Sequence, residues 1–158
     1  MKKNFKNGFV ILFTVLISSV ILIVIIGVSN ISLKETILSS YAKQAHYSFF
    51  AADTGIECAL YWDLQENAFS LETPLTPNCD GKTVEIISTS YPLFSFYFDV
   101  NDNKNCVVVY ADKDFNNSQT ELKSYGYNLD CSTVMNSPNS RIVERVIRAT
   151  YNNPGVIE

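Results

Sequence analysis

Four cysteines and one histidine are the residues of this 158-residue chain whose chemistry is most readily engaged. Cys58, Cys79, Cys106 and Cys131 include no C-x-x-C pair, and His46 lies outside their span. A zinc site normally needs two close ligand pairs, so this spacing argues against a metal. In an exported domain two disulfides are the better reading. Four buried thiols, packed as small hydrophobes, are the alternative. Asp53 and Glu57 stand one helical turn apart, a spacing able to serve a metal, but they read as a solvated face. His46, among Tyr47, Phe49 and Phe50, is expected to pack at a seam between helix and sheet. There is no Gly-rich phosphate loop, and no nucleophile sits beside a histidine. Accordingly no catalytic residue, metal or cofactor is assigned.

The elements that must carry these residues begin with a long helix. Phe9 to Val28 is an almost unbroken apolar block, about 30 Å long as a helix and matched to a bilayer's hydrocarbon core. From Ile31 the pattern turns amphipathic, with Leu38, Tyr41 or Ala42, Ala45, Phe49, Ala52, Ile56 and Ala59 three to four residues apart. No proline intervenes before Pro74, so one helix from about Phe9 to about Asp63 is expected. Gly27 and Gly55 are its weak points, each costing about 1 kcal/mol relative to alanine. Residues 64–82 carry Pro74, Pro77, Asn78 and Gly81 and read as a loop.

Strand-like runs follow at 83–88, 93–100, 106–111 and 120–128. "NDNKN" (101–105) and "KDFNNS" (113–118) have turn compositions at hairpin spacing. The run 140–151 fits a helix face as well as a strand, and its place after a meander decides for strand. Alternation puts Phe94, Phe96 and Phe98 on one face, the expected core against the helix. Tyr91, Leu93 and Tyr97 face the other way, toward a second buried surface or a ligand platform. Arg141, Arg145 and Arg148 form a basic cluster whose expected partners are Glu144, Asp130 or a neighbouring subunit's acids. In such a meander the turn near Asn116 brings Cys106 close to Cys131. Cys79, in the loop leaving the helix, reaches back to Cys58. Cys106–Cys131 and Cys58–Cys79 are therefore the expected pairs, one of three connectivities. The fold class is α+β, a long helix on an antiparallel sheet.

The apolar block is too long for a secretory h-region, and Gly27-Val28-Ser29 is a poor cleavage site. Lys2, Lys3 and Lys6 precede it, while Lys34, Glu35 and Lys43 nearly balance its far flank. The positive-inside rule then puts the N-terminus in the cytoplasm and the remainder outside. Net charge is −4, and loss of the lysines before Phe9 would leave the body more acidic still. Such a body does not attract nucleic acid through its overall field. Asn30-Ile31-Ser32 and Asn116-Asn117-Ser118 are sequons, weak signals here.

A short Lys-rich leader, then Gly8, then Phe9 opening an apolar helix that runs amphipathically into a sheet, resembles the precursors of type IV pilins and pseudopilins. In that family a membrane peptidase cuts after the glycine and methylates the new N-terminal residue. The resemblance implies cleavage after Gly8 and methylation at Phe9. It departs from the family at Phe13, where most members carry a glutamate that is thought to neutralise the preceding subunit's amine. X-type minor pilins and K-type minor pseudopilins share that departure, and the second sits at a filament tip.

The resemblance divides the chain into a leader (1–8), a transmembrane and assembly helix (9–28), its amphipathic continuation (29–63), a loop (64–82) and a sheet domain (83–158). Its implied partners are other pilin or pseudopilin subunits, the prepilin peptidase and the cytoplasmic membrane, with the mature subunit ending in a surface filament. A single-pass anchored sensor or adhesion protein is the alternative, and an anchored enzyme a more distant one.

Overall fold

The structure is a computed structural model that describes residues 6–66, 68–70, 77–88, 92–114, 119–136 and 141–152. The leader lysines Lys2 and Lys3, Pro74, Tyr91, the sequon at Asn116 and the tail beyond Asn152 lie outside the described residues. The chain divides into two units, Met1–Ala42 and Lys43–Glu158.

The first helix, α1, runs from Lys6 to Leu64 and contributes to both units. In the first unit every described apolar side chain from Phe9 to Val28 is exposed, and so are Leu38 and Tyr41. Thr14, Ser18 and Ser19 interrupt this apolar surface, but each hydroxyl donates to the backbone carbonyl three residues earlier, at Ile11, Val15 and Leu16. Such back-bonding leaves no side-chain hydroxyl in need of water, which is what an apolar environment requires.

In the second unit the remainder of α1 lies on an antiparallel sheet. After a 3-10 turn at Ala68–Ser70 come β1 (Asn78–Cys79), β2 (Lys82–Thr83), β3 (Glu85–Ser88), β4 (Leu93–Val100), β5 (Asn105–Asp114), β6 (Gln119–Tyr127), α2 (Cys131–Asn136) and β7 (Glu144–Asn152). The strands β3 to β7 form one meander in sequence order, with every neighbour pair antiparallel. The β1–β2 hairpin stands apart within the segment expected to be a loop. Its turn is Asp80-Gly81, both at positive φ, the two-residue connection that matches strand twist. From Glu144 the run expected as a strand is one, β7, because its inward residues Ile147, Ala149 and Tyr151 pack on the core.

The helix meets the sheet along a stripe of small residues. Ser48, Ala51, Ala52, Gly55, Ile56 and Ala59 are buried. Opposite them stand Phe94, Phe96, Phe98, Val107, Val109, Ala111 and Leu122. Phe69 closes this core, its ring centroid 5.6 Å from that of Phe94 and 6.1 Å from that of Phe96. Each buried Phe contributes about 1.5–3 kcal/mol. The other face of β5 is covered by α2, which buries Cys106, Val108 and Cys131 beside Tyr97 and Tyr125. Where both faces are covered, from Asn105 to Val109, β5 is buried continuously, and from Tyr110 onward burial alternates.

Three expectations are corrected. Phe49 is 46% exposed, and the stripe uses Ser48 in its place, whose hydroxyl donates to the carbonyl of Val143 at 2.8 Å. A phenylalanine there would hold the helix away from the sheet. His46 is exposed rather than packed at the seam and stacks on Phe50 one turn later. Gly55 is no weak point. A β-carbon there would stand 2.3 Å from both Ser124 Oγ and Val107 Cγ1, so its lack of a side chain admits the sheet.

Candidate assembly surface and the buried polar cluster

Gly8 and Phe9 lie in the first turns of α1. Phe9 is 73% exposed and Phe13 54%, with their rings stacked at 6.4 Å between centroids. The segment is long and apolar enough to cross a bilayer, with a mean hydropathy of 3.2 over its best window. It is compatible with a single-pass membrane anchor.

The structure joins Cys58 to Cys79 and Cys106 to Cys131, leaving no free thiol. The first ties α1 to the β1–β2 hairpin, and Trp62 Nε1 donates to Asn78 O beside it at 3.2 Å. The second ties β5 to α2, within the small core on the far face. Asp99 lies beside that bond, but both sulfurs are bonded to one another and no thiolate is left for a metal. Its Oδ1 instead accepts the N–H of Cys131 at 2.8 Å. Asp53 is half-buried and Glu57 exposed, as a solvated helix face would have them.

Sequence reasoning missed the buried ion pair. Lys113 and Asp63 form an ion pair with Nζ 2.5 Å from Oδ1, their side chains 1% and 0% exposed. The Tyr151 hydroxyl donates to the other oxygen, Oδ2. Burial and the carboxylate beside it push the Tyr151 phenol upward, so it stays a proton donor. Composition groups Lys113 with the turn at 113–118. Strand parity carries the signal, since 107, 109, 111 and 113 share the inward face of β5. Helix periodicity likewise carries Asp63, four residues after buried Ala59.

The outward sheet face is rich in tyrosine and charge. Tyr110 and Tyr125 meet edge to face, 5.6 Å between centroids. They line a hollow of about 220 Å³ with Leu93, Asp112, Glu121 and Lys123. Within the basic cluster, Arg148 finds a partner in the chain other than Glu144 or Asp130. Arg148 pairs with Glu121 on β6, which Lys123 also reaches at 3.0 Å, and these bonds hold the Glu121 carboxyl below its ordinary range. Asp130 is a helix cap instead. It accepts the Thr133 N–H at 2.9 Å and both neighbouring hydroxyls, which lower its pKa to about 2.

No protein-family model, curated protein or solved structure matches the chain.

Proposed function

We propose that this chain is a minor type IV pilin-like subunit, cut after Gly8, methylated at Phe9, and used to prime or cap a pilus or secretion pseudopilus. Its work is assembly rather than catalysis. The observation that carries the reading is α1. Over Phe9–Val28 it exposes apolar side chains all round, with its hydroxyls satisfied internally. After Lys43 the same helix carries a small-residue stripe seated on a five-stranded antiparallel meander. An apolar surface of this kind needs lipid or other helices to cover it. Storage in the cytoplasmic membrane, with the N-terminus inside and the sheet domain outside, supplies the first cover. Packing among neighbouring subunits in a filament supplies the second.

Intact mass of the protein from cells that contain a prepilin peptidase tests the reading. The expected species starts at Phe9 and carries one added methyl group. Gly8→Val should block the cut, since the peptidase must bring backbone close to the bond. A wild-type chain that keeps its leader under those conditions overturns the pilin reading and leaves a plain single-pass anchor.

A further inference from the structure

Among the described residues, Asp63 and Lys113 are the charged side chains that the fold takes wholly out of water. Four elements converge there. Asp63 belongs to the last turn of α1, and Lys113, Thr120 and Tyr151 lie side by side in register across β5, β6 and β7. Nζ of Lys113 stands 2.5 Å from Oδ1 of Asp63, yet neither atom has a hydrogen bond of acceptable direction. The amine is thus held against the carboxyl group in a contact that lacks hydrogen-bond geometry. A buried polar group so left is a sign of strain or of chemistry. Burying an ammonium and a carboxylate together costs several kcal/mol for each ion. Passing a proton from one to the other leaves a neutral amine in contact with a neutral acid, in a pocket that excludes water.

We propose that Lys113 and Asp63 condense into an intramolecular amide, so that the end of α1 is covalently clamped to the central strand of the sheet. A proton passes from the Lys113 ammonium to Oδ1. The Nζ lone pair then attacks Cγ, forming the N–C bond and moving the carbonyl electron pair onto Oδ2, where the Tyr151 hydroxyl already donates. A second proton passes from Nζ to Oδ1, the Cγ–Oδ1 bond breaks, and Oδ1 leaves as water. Oδ2 becomes the amide oxygen, and one hydrogen stays on Nζ. The ammonium and carboxylate are replaced by one amide and one water, with no oxidant, reductant or cofactor. Tyr151 is the positioning and proton-donating group on the reacting carboxyl. The clamp rests on the packing of the second unit alone and stands whether or not the chain enters a filament.

Mass spectrometry of the full chain, with its disulfides reduced and alkylated, tests this. The wild type should be one water lighter than its sequence requires, and trypsin should not cleave after Lys113. The Asp63 and Lys113 peptides should be recovered as one branched species, which fragmentation distinguishes from any change at the N-terminus. Lys113→Arg keeps the charge pair but has no amine able to condense, and it should show the full mass. Asp63→Asn should lose ammonia and reach the same product. Tyr151→Phe should slow bond formation by about a hundredfold, the scale of a lost general acid. Recovery of wild-type Asp63 and Lys113 on separate peptides, at full mass, overturns the proposal even where a variant fails to fold.

Discussion

Gly126 on β6 lies so close beneath α1 that a β-carbon there would stand 2.0 Å from the carbonyl oxygen of Ser48. The Ala52 amide nitrogen would be 2.3 Å away. These obstacles are backbone, which cannot rotate aside. Gly55 makes the reciprocal approach from the helix, against Ser124 and Val107. In a solvent-exposed helix, Gly→Ala would stabilise by about 1 kcal/mol. Here the sign reverses. Gly55→Ala should destabilise by about 1–3 kcal/mol, as overpacked cores do, and Gly126→Ala by more. Thermal unfolding of the detergent-solubilised chain checks the order, and a stabilised Gly55→Ala would contradict the packing.

The polar cluster makes a second prediction. Relative to Lys113→Arg, which keeps the charge pair and cannot condense, Lys113→Met leaves Asp63 buried without its counter-charge and should cost about 3–5 kcal/mol. In the same Lys113→Arg background, Tyr151→Phe removes one hydrogen bond to that carboxylate and should cost about 1.5–3 kcal/mol. Equal, small effects on denaturation midpoints would show that water reaches the pair.

The disulfides should differ in accessibility. Cys106 and Cys131 are both buried, whereas Cys58 is only partly so. Stepwise reduction followed by peptide mapping should release Cys58–Cys79 first. Replacing Cys106 and Cys131 together by alanine should cost about 2–4 kcal/mol. Crossed pairs in the unreduced map would refute the connectivity.

Asp130 sets an acid limit for α2. Its hydrogen bonds hold its pKa at about 2, below the ordinary value of 3.8. The sign follows from linkage. A depressed carboxyl stabilises the fold above its unfolded pKa, and that contribution is lost as pH falls from near 4 through about 2. The Thr133 amide, which donates to Asp130, should lose protection from hydrogen exchange over that window. Asp130→Ala should show the same loss at neutral pH.

Phe13 bears on copy number, given the proposed assembly role. A carboxylate in the bilayer costs about 2.5–3.5 kcal/mol at its centre by insertion scales and less near the edge, where Phe13 lies, so a subunit with no amine to neutralise does better with phenylalanine. Repeated along a shaft, uncompensated amines would be prohibitive, and at the first position the problem vanishes. Quantitative mass spectrometry of sheared filaments should find this chain far below the major subunit, with labelling at the ends. Its recovery as the bulk component would refute a tip position.

Period and composition were sufficient for the elements themselves. The apolar block from Phe9, the helical spacing of Ala52, Ile56 and Ala59, and the alternation of Phe94, Phe96 and Phe98 are consequences of backbone geometry, so they can be read without knowing what lies opposite. Meander order alone brought Cys106 near Cys131. Two short elements had local signals that composition obscured: Asp80-Gly81 for the β1–β2 turn and Asp130 as the cap of α2. The remainder depended on the opposing surface. Whether Ser48 or Phe49 faces inward is decided by how near the sheet comes. Gly55 is a defect in an isolated helix and a necessity under Val107. Arg148 finds Glu121 because register sets β7 beside β6. Lys113 and Asp63 are fifty residues apart in the chain, and each alone would read as a solvated charge. Only the seating of the last turn of α1 over β5 takes both out of water, because burial belongs to the pair of surfaces and not to either residue.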